Sequence, residues 1–498
     1  SNSSRRIGFC DYLTRAVGRI IDESGRVRTG SGNSGCLEIA RPGQEIVERS
    51  SVQLIAGFVE ARVYTGLPAR GRRILADEAC ALLLGEIPKI VEGALVVKSA
   101  NEDRIRHHVD VSEDQDVMRS QLRSRGLVGF VADGSVLPRR SGDDDRPLDD
   151  AGVVPFRSPE SGKVWLTTRH QGEIEGLGIR EGVTVITGGG YHGKSTFLQA
   201  LERGVYNHVP GDGREGVVTV ASAAKIRAEE GRSIRSVDVS PFLQTLPTGQ
   251  DPLDFSTQNA SGSTSQAASV IESMEAGATA LLLDEDTSAA NFLARDDRMR
   301  MLIPGSGEPI RPLIESVRRL HTQRGISTVL VAGASGSFFA SADQVFKWDS
   351  FVVEDVTQEA RCIAGDSTGD DLQEGELNEA WKGSDRRISS VLPSSSRKGP
   401  RVRGNFLEIE GESIRLDGLE QIVRDGGNAA HSLGCALVIC EEALGSNPRI
   451  RELLEFVERS MDTLGLDRIS ARIAGNLIRT RSLELAGAIN RSRSLKVC

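Results

Sequence analysis

The sequence predicts an α/β fold: a phosphate-loop nucleotide-binding domain, preceded by an α+β region and followed by a mainly helical one. Three observations carry this. The run GGGYHGKST, Gly188 to Thr196, has the spacing G-x-x-x-x-G-K-S and lies between the buried-strand pattern GVTVIT and the helical pattern TFLQALERGV. A second apolar run, ALLL, ends in Asp284 and Glu285, acids at the end of a strand pattern. Between residues 154 and 364, strand patterns such as ALLLD and STVLVAG alternate with helical stretches, which indicates a largely parallel sheet.

Taken in order, residues 1–153 mix strand-like pieces (SVQLIAGFVEARVYTGLPA, GLVGFVADGSVL) with short helices and arginine clusters. The charged, turn-rich RRSGDDDRPLDDAG (Arg139 to Gly152) marks a boundary. Residues 154–364 form the nucleotide-binding domain. Residues 365–400 are polar and Gly/Ser-rich, with little to bury, and read as a flexible insertion. Residues 401–498 carry LEQIVRDGGNAAHSLGCALVICEEAL and PRIRELLEFVERSMDTLGL, whose apolar residues recur at three- and four-residue spacing as in amphipathic helices.

Composition narrows the class. A length of 498 residues suits roughly three domains. Net charge of -9 argues against a surface coated in basic groups, while leaving room for a local basic channel. The seven cysteines (Cys10, Cys36, Cys80, Cys362, Cys435, Cys440 and Cys498) are scattered without a C-x-x-C pair, so reduced intracellular thiols are expected, with neither a disulfide framework nor a zinc site. No apolar run approaches the roughly 18 residues of a membrane span, so no membrane association is expected. The chain opens SNSSRR, from which a processed or engineered N-terminus is expected, any targeting peptide being gone. Aromatic content of 4% speaks against sequence-specific base readout.

The phosphate loop assigns roles. Glycine lets the backbone turn sharply and approach phosphate oxygens, which its N–H groups then bind. Gly188, Gly189, Gly190, Tyr191, His192, Gly193, Lys194, Ser195 and Thr196 are the expected ATP or ADP contacts. Lys194 reaches the β- and γ-phosphates, and the Ser195 hydroxyl joins Asp284 in holding Mg²⁺. Glu285 is the expected general base, orienting and deprotonating the attacking water; with Lys194 it makes the catalytic pair.

Between the two motifs, ASGSTSQAAS (Ala260 to Ser269) resembles the LSGGQ signature of ABC-type ATPases, with Ser261 and Gly262 on the serine and first glycine. The interval to Asp284 is the one expected there. DTSAAN resembles the PTSALD that follows Glu285 in that family, with Asp286 for the proline and Asn291 for the D-loop aspartate. The resemblance implies a homodimer, because the signature loop completes the nucleotide site of a facing subunit. Two positions depart. Ser335 stands about where the switch histidine belongs, His321 being too early, and Gln244 is only a loose match for the Q-loop glutamine. Slow hydrolysis is the expected consequence.

A narrower resemblance covers nearly the whole chain. GGGYHGKST, NHVPGDGRE, NASGSTSQAA, LLLDEDTSAANF and RSLELAGAINRSRSLKV are similar to the ATPases of the ABC class, soluble proteins of bacteria and some protists. Among its members the resemblance is greatest to the trypanosome mitochondrial RNA-editing type, whose N-terminal region forms a basic-lined pore. It implies RNA as a partner, association with an RNA-editing complex and a mitochondrial matrix location. Among the arginine clusters, Arg70, Arg72 and Arg73 follow a Leu-Pro-Ala turn and are the candidate RNA contacts, while Arg119, Arg123 and Arg125 read as one exposed helix face. Two alternatives to an ATP-driven enzyme stay open: an ATP-gated RNA-binding module with negligible turnover, and a soluble ABC ATPase acting on another partner.

Overall fold

Helix α1 (Ser3–Glu23) starts at Asn2, whose side chain accepts the Arg5 N–H, and buries Leu13, Val17 and Ile21. This face packs on Val52, Leu82 and Ile90 to make the N-terminal core. The structure is a computed structural model that describes all residues except 1, 25–32, 97–98, 151, 245, 247–248, 296–300, 303–307, 366–384 and 394–398. Hairpin β1 (Val52–Ile55) and β2 (Phe58–Ala61) is followed by the short hairpin β3 (Ala69–Arg70) and β4 (Arg73–Ile74). Helix α2 (Ser99–Leu122) then leads into β5 (Leu127–Ala132), which is buried along its whole length.

That strand belongs to a four-stranded antiparallel sheet. With β6 (Lys163–Thr167), β7 (Glu173–Arg180) and a later strand at Val217–Thr219, the order is Val217–Thr219, β5, β7, β6. The 153/154 boundary expected from sequence therefore runs through one sheet, with β5 before it and the other strands after. Strand β8 (Val183–Gly188) leads through the glycine-rich loop to α3 (Lys194–Arg203).

The second sheet is built from β8 with β9 (Ala223–Ile226), β10 (Ala280–Asp284), β11 (Ser327–Val331), β12 (Gln344–Asp349) and β13 (Val352–Asp355). Its order is β9-β10-β11-β8-β12-β13, parallel throughout except for β13. Alternation decides the two cores. Val183, Val185, Leu281, Leu283, Leu330 and Val345 pack under helix α4 (Gly262–Glu275) and its neighbours. Ile186, Ala280, Leu282, Val329, Val331 and Phe346 face the other way, onto Phe197, Leu198 and Leu201 of α3 and onto the antiparallel sheet. Each Val, Leu, Ile or Phe side chain among them contributes about 1.5–3 kcal/mol on full burial.

The C-terminal region is mainly helical, as expected, but not from its start. It opens with a three-stranded sheet, Arg401–Arg403, Phe406–Ile409 and Glu412–Arg415, because FLEIEGESIR alternates apolar and polar residues around a glycine turn. Helices α5 (Asn428–Cys440), α6 (Ile450–Leu464) and α7 (Ser482–Arg491) follow. The expected periodicity is present in α6, which buries Ile450, Leu453, Leu454, Val457 and Met461. LEQIV is not helical. Its Gln421 instead accepts the Lys225 N–H and donates to the Glu202 carbonyl, fastening the C-terminal region to β9 and α3.

Two further expectations meet corrections. Most of the 365–400 insertion lies outside the described residues, but 385–393 packs inward: Val391 and Leu392 are buried, and Ile388–Ser390 pairs with Lys496–Val497. Arg119 is not on an exposed helix face. Its guanidinium donates to the carbonyls of Thr219, Gly204 and Tyr206 and to Asp116 and Asn207, so it locks α2 onto the chain that follows α3. Among the described residues no helix is long and apolar enough to cross a membrane, and none of the cysteines is in a disulfide.

Candidate nucleotide site

Parallel pairing sets the site at one sheet edge. Ile186 is opposite Val331, Asp284 is also opposite Val331, and Gly188 is opposite Trp348, so the C-terminal ends of β8, β10, β11 and β12 converge there. Such an edge is where open α/β sheets take ligands.

Gly188 and Gly193 are left-handed, with φ of 132° and 101°. A methyl at Gly188 would lie 2.1 Å from the Trp348 carbonyl oxygen, and one at Gly193 would lie 2.9 Å from Phe351 Cδ1. The loop therefore requires glycine at both positions, for conformation and for space. Gly189, Gly190 and Tyr191 are exposed, and His192 is half-buried. Ser195 and Thr196 sit half-buried in the first turn of α3, where free backbone N–H groups favour an anion. Phe197 and Trp348, with ring centroids 4.5 Å apart, pack beneath the loop.

Lys194 Nζ donates to the Gly188 and Gly189 carbonyls, at 2.8 and 2.5 Å. Its charge is thus held at the mouth of the loop. The Glu285 carboxylate accepts the N–H groups of Gly333 (2.6 Å) and Ala334 (3.0 Å). Gly333 lies between the two side chains: a methyl there would be 3.4 Å from Lys194 Cε and 3.9 Å from Glu285 Oε2. Asp284 is buried at the end of β10, and its side chain accepts the Asp286 N–H at 3.2 Å. The glycine cradle, the ammonium, and the hydroxyl and carboxylate of Ser195 and Asp284 fit a nucleotide phosphate with Mg²⁺, which takes hard oxygen donors.

Ser335 stays within its own turn, donating to Ser337 Oγ at 2.9 Å and accepting the Ser337 N–H. Main-chain N–H groups of this loop, not its side chain, meet Glu285. Gln244 also lies apart: its N–H goes to Pro309, and its amide oxygen, assigned from the hydrogen-bond geometry, accepts from Arg311 Nη2 at 2.6 Å.

Ser261 is exposed and caps α4, accepting the Thr264 N–H at 3.3 Å. Gly262 begins the helix. Behind them, buried Gln266 holds the 288–289 turn through Ser288 Oγ (2.8 Å) and the Ala289 N–H (2.9 Å). Ser263 donates to Asn291 at 2.6 Å, so the signature segment and the segment after Glu285 form one unit. Neither Gln266 nor the N–H groups of residues 333–334 stood out in sequence. Gln266 is five positions past Ser261, while main-chain donors carry no sequence signal.

Arg70, Arg72 and Arg73 occupy the β3–β4 hairpin on the N-terminal domain. Arg70 pairs in register with Arg73, Gly71 turns at φ 62°, and all three side chains are exposed. Asp110, Glu113 and His170 come close enough to suggest a metal, but Arg5 Nη1 sits 2.7 Å from both carboxylates. Burial would raise the Glu113 carboxyl, yet hydrogen bonds from His170, Arg5 and Asn2 outweigh it and hold it at about 2. This is an ion-pair network.

Three family models match successive parts of the chain. Residues 101–382 match the ABC ATPase P-loop domain, residues 1–98 the N-terminal domain described for an ATPase of the ABC class, and residues 401–498 the MRB1590 C-terminal domain. The uncharacterized protein MJ1628 of Methanocaldococcus jannaschii is 29% identical over 229 residues, 45% of this chain and 50% of that protein. The chain thus spans about half the length of this curated relative. A bacterial Atm1-family ABC exporter solved with ATP bound shares 14% identity over 58% of this chain and 48% of that one, with a TM-score of 0.28.

Proposed function

The chain belongs to the ATPases of the ABC class, and from that premise we propose that it binds and hydrolyses ATP as a homodimer that clamps or threads an RNA strand in mitochondrial RNA editing or processing. The observation that carries the hydrolytic part is the meeting of Lys194 and Glu285 around Gly333. Lys194 neutralises phosphate charge, the loop N–H groups bind its oxygens, and Glu285 takes the proton of the attacking water. Mg²⁺, when bound, supplies charge stabilisation at the phosphates, with Ser195 and Asp284 as its holders.

RNA rests on the family resemblance, the C-terminal match and the exposed Arg70, Arg72 and Arg73. Exposed guanidinium groups grip phosphates without reading sequence. A second reading, an ATP-gated binding module with negligible turnover, is favoured by Ser335, whose hydroxyl is engaged with Ser337.

The test is steady-state ATPase activity with and without single-stranded RNA, together with binding of that RNA across a salt series. A rate raised several-fold by RNA supports the enzyme; a background rate that RNA leaves unmoved supports the module. Replacing Arg70, Arg72 and Arg73 together by alanine is expected to weaken RNA binding and flatten its salt dependence, leaving RNA-free ATPase activity unchanged. Binding indifferent to salt and to this change points to a partner other than RNA at this hairpin.

A further inference from the structure

We propose that Phe351 is a positioning residue for the nucleotide, its ring wedging the phosphate loop into its binding shape; this rests on the nucleotide reading above. Strands β12 and β13 are joined by the two-residue turn Ser350-Phe351, since Asp349 pairs directly with Val352. Both turn residues are left-handed, with φ of 50° and 68°. A two-residue hairpin turn with both central φ angles positive normally takes Asn-Gly, because side chains larger than Asn are crowded there. An aromatic residue persists in such a turn only where its surroundings hold it.

Core burial is not what holds it: Phe351 is 46% exposed. It meets the phosphate loop at two points. Its N–H donates to the His192 carbonyl at 3.2 Å, and its ring edge fills the space that a side chain at Gly193 would need. Gly193 is the residue immediately before Lys194, and it is itself left-handed. The loop and the strained turn therefore fix each other. A loop that holds its shape without ligand has less to order when a phosphate arrives, which strengthens binding without touching the chemical step.

The double substitution Ser350→Asn with Phe351→Gly installs the preferred turn and removes the ring. If the ring keeps the loop in its binding shape, and that shape falls to about one-fifth of the population, ATP affinity falls about fivefold. The expected result is a higher Kd and KM for ATP by about that factor, a smaller change in kcat at saturating ATP, and a melting temperature equal to or above the wild type. Phe351→Tyr, which keeps the ring, should bind ATP as the wild type does. Unchanged ATP affinity in the double variant overturns the proposal, as does a fall in melting temperature that accounts for the loss of binding. Lys194→Ala is measured alongside. If that variant binds ATP normally, the nucleotide reading fails; if it loses ATP while the double variant keeps it, only the role of Phe351 fails.

Discussion

In the proposed reaction Lys194 and Glu285 do different work, and single substitutions should separate them. Removing the Lys194 ammonium takes away the charged side chain at the loop, so Lys194→Ala is expected to lose nucleotide binding, measured by titration with ATP. Glu285→Gln keeps an oxygen for the Gly333 and Ala334 N–H groups but loses the proposed base. It should bind ATP as the wild type does and hydrolyse it about 10²–10⁴-fold more slowly. Hydrolysis at the wild-type rate would show that another group takes the proton. Both residues were legible in the sequence because their spacing around glycines and an apolar run is specific. Their meeting at Gly333 was not, since the donors there are backbone and the approach depends on strand register.

Helix α1 is held by a buried ion cluster. Asp11 and Arg49 are almost fully buried, with Arg49 Nη1 2.7 Å and His108 Nε2 3.1 Å from the Asp11 carboxylate, and Arg15 Nε at 2.6 Å. Burial alone would raise the Asp11 carboxyl, but Arg15, His108 and Arg49 outweigh it and hold it well below the usual range. A folded value below the unfolded one stabilises the fold above the unfolded value, about pH 4, and that stability is lost as pH falls through the folded value. Asp11→Asn leaves Arg49 buried without its charge partner, so it should cost about 3–5 kcal/mol. Denaturant unfolding at neutral pH measures that cost, and the acid-dependent loss below about pH 4 should shrink in the variant. No destabilisation at neutral pH would mean the cluster is not what docks α1. At this scale the sequence was uneven. The periodicity of α6 was readable, whereas LEQIV, with equally apolar residues, became a clasp because Gln421 finds partners on β9 and α3.

One chain carries one phosphate loop and one signature segment. Ser261 is exposed at the start of α4, with its hydroxyl engaged only by Thr264 in the same turn among the described residues. A facing subunit's phosphate is the ligand such a helix start suits, through its dipole and N–H groups. Two chains meeting about a two-fold axis would make two complete sites. Mixing Lys194→Ala chains with Ser261→Arg chains should therefore restore roughly one intact site per mixed dimer, read as regained ATPase activity. Mixed dimers that form yet stay inactive, or full activity from a monomer, would rule out the composite site.

The sequence by itself determined the α/β class, the phosphate loop, the acids at the end of β10 and the signature segment, because each is set by local spacing or by period-two burial. Only the tertiary structure decided what depends on residues far apart in the chain. It placed β5 in a sheet with strands beyond the 153/154 boundary, turned Arg119 inward onto carbonyls nearly a hundred positions away, and set Glu285 against the backbone of residues 333 and 334. It also pressed Phe351 onto Gly193. Hydrogen-bond donors of the main chain and the packing of a lone aromatic ring leave no pattern in a sequence; they exist once parallel strands bring their ends to the same edge.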